Sequence, residues 1–126
     1  MRNPFPDMDS YGKYVAVNET RNRGWWIPGG AVDAGENFVQ GALRECREEA
    51  GIDVNLVGLL KVDYGVSHGD QARMRVIFYA EPTDRVQAES LKKVADSESV
   101  EARWVSLEEC AALDNDGAGL RGDELL

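Results

Sequence analysis

The stretch from Gly30 to Ile52, GAVDAGENFVQGALRECREEAGI, constrains this chain most, because it groups seven charged side chains and two bracketing glycines around one short helical pattern. Read at roughly 100° per residue from Asn37 to Ala50, the pattern puts Val39, Ala42, Leu43, Cys46 and Ala50 on one side. Glu45, Glu48 and Glu49 fall together on the other, within an arc of about 100° by the same arithmetic. Arg44 stands four residues before Glu48, the spacing of an ion pair that holds one carboxylate still. Gly51 stands where a left-handed residue ends a helix, and Gly29 and Gly30 follow Pro28 in a tight turn. Gly41, inside the helix, costs about 1 kcal/mol relative to Ala, which predicts that another element passes close to it.

Three clustered carboxylates raise one another's pKa unless a cation shares the site. Carboxylates, waters and a backbone carbonyl suit a hard divalent ion, magnesium or manganese, and such ions travel with substrate phosphates. The competing reading is a solvated glutamate-rich helix face, which the bracketing glycines disfavour.

These residues resemble the Nudix box, G-x5-E-x7-R-E-U-x-E-E-x-G-U with U a bulky aliphatic. The match runs through Gly30, Glu36, Arg44, Glu45, Cys46, Glu48, Glu49, Gly51 and Ile52. Cys46 takes a position usually held by Ile, Leu or Val, and as a buried thiol it serves as a small hydrophobe.

With 126 residues the chain suits one domain over 1–126, with a real core. Its net charge of −9 argues against a nucleic-acid polymer as partner, since such binding is driven by Lys and Arg, but not against a small phosphorylated ligand brought in with metal. The sequence has no apolar run of membrane-spanning length and no signal-peptide pattern. Cys46 and Cys110 read as reduced packing residues, which fits a cytoplasmic protein.

Lys13–Asn18 reads as a strand, Trp25–Ile27 as a second apolar run, Ile52–Val66 as extended with an interruption at Gly58, and Ala72–Ala80 as an alternating strand. The stretch from Glu81 to Ser99 reads as a polar loop, Glu101–Val105 as a strand, and Ser106 as the opening of a helix, with Glu109 completing a capping box and Val105 facing Cys110. The tail from Asp114 reads as a Gly-rich loop with one last helical turn. This order predicts an α+β domain, and the resemblance implies an α/β/α sandwich around a mixed sheet. Nudix domains generally carry a further strand ahead of the one matching Lys13–Asn18. Here the opening dozen residues hold Pro4 and Pro6, so that edge needs cover from the N-terminal loop or a partner chain.

The resemblance implies hydrolysis of a diphosphate linkage in a nucleoside diphosphate joined to a group X, water attacking phosphorus with metal help. Carried over position by position, it assigns Glu45, Glu48, Glu49 and the carbonyl of Gly30 to the metal, Arg44 to orienting Glu48, and Glu36 to a supporting role. The general base stays open between the box acids Glu48 and Glu49 and a later loop bearing Asp96, Glu98 and Glu101, with Glu98 first among the three. Of Trp25 and Trp26, which alternate faces, one belongs to the core and the other to a substrate pocket. Arg73 and Arg75 share a strand face and are candidates to meet phosphates. Phe78 reads as packing, and His68, without companions, as merely exposed.

Subfamilies that cleave ADP-ribose are expected to place a proline about fifteen residues past the box, whereas the next one here is Pro82. Tyr64 comes too early for the tyrosine of dinucleoside polyphosphate hydrolases, and the acidic composition disfavours inositol pyrophosphates. The segments after the box resemble those of family members that remove oxidised nucleoside di- or triphosphates. Nucleotide-pool cleaning therefore ranks first, with a nucleotide-sugar or ADP-ribose pyrophosphatase, or a non-catalytic nucleotide-binding module, as alternatives. The expected partner is a small nucleotide, with the chain a monomer or homodimer.

Overall fold

A computed structural model describes residues 1–20, 24–67 and 69–115. The strand β1 (Tyr14–Glu19) lies at the centre of a three-stranded antiparallel sheet, between β2 (Gly24–Trp26) and β5 (Ser99–Val105). Its apolar run sets the two layers that cover this sheet. Val15 and Val17 pack with Ala102 against Cys46, Ala50 and Ile52 on one face. Ala16 packs with Trp25, Val105 and Cys110 on the other. The first face receives helix α1 (Phe38–Glu45) and the π-helical turn Cys46–Ala50 that continues it; the second receives α3 (Leu107–Asn115). The α+β class and the sandwich of helices about a sheet are as the sequence predicts.

The long strands β3 (Val54–Ser67) and β4 (Gln71–Pro82) form a separate antiparallel hairpin. Its register slips between Leu56 and Gly58 and again between Leu59 and Lys61, leaving Val57 and Leu60 as extra residues and bending β3 where Gly58 interrupts the pattern. Every ladder among the described residues is antiparallel, so the mixed sheet of the expectation is represented by two antiparallel sheets.

The N-terminal loop covers the first half of β1, which β2 does not reach. Asn3 and Val15 donate backbone hydrogen bonds to Lys13 and Met1 at 2.9 Å, and the amide of Arg2 reaches the carbonyl of Ala80 on β4 at 3.1 Å, tying the sheet to the hairpin. Buried Asn3 closes the loop through a 2.6 Å bond to Ser10 Oγ.

One expectation changes. Within the polar stretch after β4, Arg85–Ala88 forms a single helical turn, α2, capped by Asp84, whose side chain accepts from Gln87 N. Ala88 and Leu91 are buried, and their spacing was hidden by the charged residues around them. Ser106 caps α3 as expected, accepting from Glu109 N at 3.0 Å, while the Glu109 carboxylate pairs with Lys13. The expected final helical turn lies outside the described residues. Cys46 and Cys110 are free and sit in different layers, and burial pushes the Cys46 thiol up to about 11, so it packs as a neutral hydrophobe. Among the described residues no helix is long and apolar enough to cross a membrane.

Candidate active site

Helix α1 begins where Asn37 and Gln40 cap each other's backbone amides, at 2.8 and 3.0 Å. A Cβ on Gly41 would stand 3.5 Å from Val32, so the loop ahead of the helix does pass close there. That loop folds onto Arg44. The guanidinium grips both oxygens of Glu36 at 2.9 and 3.1 Å, Glu45 Oε1 at 2.9 Å, Glu48 Oε2 at 3.0 Å and the carbonyl of Ala31 at 3.0 Å. The sequence offered Arg44 one acidic partner; it has three through these bonds, with Asp33 3.3 Å away besides. Glu36 braces Arg44, its carboxyl held below the ordinary range by Arg44 and then by the Asp33 amide.

From Cys46 onward the backbone winds more widely, with Gly51 N bonded to Cys46 O five residues back, and ends at Gly51 with φ 77°. Along this turn the three carboxylates are differently exposed. Glu45 and Glu49, 8% and 6% exposed, are turned into the molecule, whereas Glu48 swings toward Arg44 and solvent. Conversely Phe38 and Val39 are exposed, so the helix buries part of the face expected to be wet. Burial holds the Glu49 carboxyl well above the usual range, opposed by the Gly29 amide that donates to it at 3.2 Å and reinforced by Glu45 and Glu19. Glu19, buried at the end of β1, was missed by sequence reasoning. The signal available was an acid ending an otherwise apolar strand. Gly30 is explained by contact: a Cβ there would lie 2.6 Å from Glu45 Oε1.

Beside the Glu45 side chain opens a cavity of about 660 Å³, whose walls include Glu19, Trp26, Gly30, Arg73, Arg75 and Phe78. The tryptophans divide as alternation predicts. Trp26 lines the cavity, while Trp25 is buried between β1, β5 and α3 with Arg103 stacked 4.5 Å over its ring, which removes Trp25 from the substrate-binding residues. Arg73 and Arg75 sit opposite Gly65 and Asp63 on one hairpin face and line the cavity. Phe78, expected only to pack, is a wall residue as well.

Glu98 is exposed and does not line this cavity. Its loop is knotted instead around Asp96, whose Oδ1 accepts from Lys92 Nζ at 2.6 Å, Glu98 N at 2.8 Å and Ser99 N at 3.2 Å. Lys92 first, then the two amides, hold the Asp96 carboxyl down to about 2, which suits an anchor and not a base. Glu101 pairs with Arg103 at 2.8 Å. His68 lies outside the described residues.

The residues fit a divalent cation. Two buried carboxyls that raise each other's proton affinity, one of them pressed against Gly30, are a hard oxygen donor set whose mutual repulsion a cation relieves. Glu48 joins the same network through Arg44 Nη1, although the described acids do not gather three at a time around one point.

Residues 8–121 match the NUDIX domain. The chain belongs to the Nudix family. This Nudix domain is 39% identical over 88 residues to a nucleoside triphosphate pyrophosphatase/Nudix hydrolase fusion protein of Bifidobacterium longum, covering 68% of this chain and 17% of the relative. It is 39% identical over 80 residues to an 8-oxo-dGDP phosphatase of Mus musculus, covering 64% and 23%. A MutT-like protein of Streptomyces ambofaciens is 30% identical over 98 residues, covering 78% and 58%. The matched part is thus about a fifth of the length of the first two relatives. Among solved structures, a UDP-X diphosphatase superposes with a TM-score of 0.61 at 18% identity, over 80% of this chain and 47% of that one. A Caenorhabditis elegans Ap4A hydrolase gives 0.61 at 19%, over 82% and 74%. At such identities the likeness speaks to the fold alone.

Proposed function

We propose that this Nudix domain hydrolyses a diphosphate linkage in a nucleoside diphosphate joined to a further group, with magnesium or manganese, and that oxidised nucleoside di- or triphosphates are its favoured substrates. The observation that carries the reading is buried Glu45, beside buried Glu49 and pressed against Gly30, at a cavity that also presents two arginines and three aromatic rings. The preference for oxidised nucleotides is supported by the 39% identity to the mouse 8-oxo-dGDP phosphatase.

Glu45, Glu49 and Glu48, with the carbonyl of Gly30, would hold the cation. When bound, a divalent ion neutralises phosphate charge and supplies a nucleophile at neutral pH. The chain's own groups do the rest. Arg44 fixes the Glu45 and Glu48 carboxylates in place, so that little reorganisation is needed as the reaction proceeds. Arg73 and Arg75 meet phosphate oxygens, and Trp26 and Phe78 give the base an apolar wall. Proton removal from the attacking water falls to Glu48 or Glu49, which stand on the turn next to the cavity-lining Glu45, whereas Glu98 lies on the exposed loop tied down by Asp96. The substrates are small nucleotides of the cytoplasm.

The test is phosphate or pyrophosphate release across oxidised and ordinary nucleotides, nucleotide sugars, ADP-ribose and dinucleoside polyphosphates, with magnesium present and then chelated. Metal-dependent release, fastest with an oxidised nucleotide, is expected. Nucleotide binding without release from any substrate would overturn the reading in favour of a binding module.

A further inference from the structure

The last carbonyls of a helix lack partners within it, and their positions fix the side chains of the same turn. In this domain the three carbonyls that follow one another at the end of the box turn are all claimed by one short segment of distant sequence. Glu48 O accepts from Lys92 Nζ at 2.8 Å, Glu49 O from Ser99 Oγ at 2.8 Å, and Ala50 O from the Lys92 amide at 2.9 Å. Both donors are enclosed: the Lys92 side chain is 10% exposed, and Ser99 is fully buried. Both are also held by the same acid, since Asp96 Oδ1 accepts from Lys92 Nζ and from Ser99 N. The segment is anchored in turn to the sheet by Ala102 N, which donates to Lys92 O at 2.9 Å.

We infer that Lys92 and Ser99, locked by Asp96, are positioning residues that hold the backbone of Glu48 and Glu49 and so set the donor geometry of the carboxylates for the divalent ion. An ordinary α-helical end would leave Glu48 and Glu49 free to rewind; the wide turn is maintained because its carbonyls are taken from outside. Neither residue touches the cavity occupied by substrate in the reading above, on which this inference rests. A lysine at that place acts as a three-donor clamp, and its charge is matched by Asp96 and not by the catalytic acids.

The experiment titrates Mn2+ into the full chain and follows free Mn2+ by electron paramagnetic resonance, for the wild type, Lys92→Met, Ser99→Ala and, as control, Lys93→Met at the exposed neighbour. Removing partners that support metal ligands from behind weakens metal binding about 10- to 100-fold. Lys92→Met and Ser99→Ala are each expected to weaken Mn2+ binding by about tenfold, with Lys93→Met unchanged. Wild-type affinity in both variants would overturn the clamp, whatever happened to their melting temperatures. If circular dichroism shows Lys92→Met unfolded, Ser99→Ala, which removes one oxygen, decides alone. A wild-type chain that binds no Mn2+ would overturn the metal-site reading itself, and the clamp with it, a result distinct from unchanged affinity in the variants.

Discussion

From Arg44 to Ala50 the charged groups are paired and two of the acids are enclosed, whereas in the β3–β4 hairpin it is the apolar side chains that stand in water. Glu45 and Glu49 are buried, Arg44 makes five hydrogen bonds to neighbours on its own segment, and the turn's end is gripped by Lys92 and Ser99. On the hairpin Leu60, Val62, Tyr64 and Val66 are exposed, Tyr64 at 70%, and the strands are held by their ladder. The two regions meet at one cavity. The difference teaches that the acids are fixed by a network in which moving one atom moves several, while Arg73 and Arg75 ride on a backbone that tolerates change beside them.

Substitutions in the two regions should therefore differ in kind. The largest effect is expected from Glu49→Gln, which removes a metal donor and should cut turnover by about 10²-fold or more. The fold should survive, because the apo carboxyl is already held toward its neutral form, which Gln mimics. Near-normal turnover would break the site assignment. Arg44→Ala follows, leaving Glu36, Glu45 and Glu48 without their shared cation; both activity and melting temperature should fall, the latter by several degrees. An unchanged melting temperature would show that the network does not stiffen the turn.

Gly30→Ala separates the two properties. Its Cβ would force Glu45 aside, so activity should drop by roughly tenfold while stability falls less than in Arg44→Ala. On the hairpin, Arg73→Ala should raise KM with kcat nearly kept, as lost uniform binding does. Tyr64→Ser should change stability by no more than about 0.5 kcal/mol. A large loss from Tyr64→Ser would erase the contrast.

The smallest effect concerns pH. Asp96 is held at about 2, below its ordinary 3.8, so its contribution to stability is present above the ordinary value and is lost as pH falls through about 2. Melting curves of the wild type and Asp96→Asn should differ at neutral pH and converge in acid. Parallel curves down to pH 2 would contradict the anchor.

Much of the site was legible because the box residues act locally: Gly30, Arg44, Glu45 and Gly51 are set by spacing along one helix and its ends. The different exposure of Glu48 and Glu49 was not, because the carbonyls of their turn are bonded by Lys92 and Ser99, more than forty residues away in sequence. Glu19 and Phe78 escaped for the same reason, since a strand pattern says which side a residue faces and not what is brought opposite. Trp25 and Trp26 could be divided in principle but not assigned, the sheet's two coverings being equivalent until the helices are placed. The α+β class followed from element order, whereas α2 was masked by its charged flanks.

The central claim is that the Glu45–Glu49 pair holds a cation for hydrolysis of oxidised nucleotides. Its most direct test is the initial rate of phosphate release from 8-oxo-dGDP and from dGDP, in magnesium and after chelation, for the wild type and Glu49→Gln. The account predicts a faster rate with the oxidised nucleotide, lost on chelation and lost in the variant. A rate that persists in Glu49→Gln, or after the metal is removed, would contradict it.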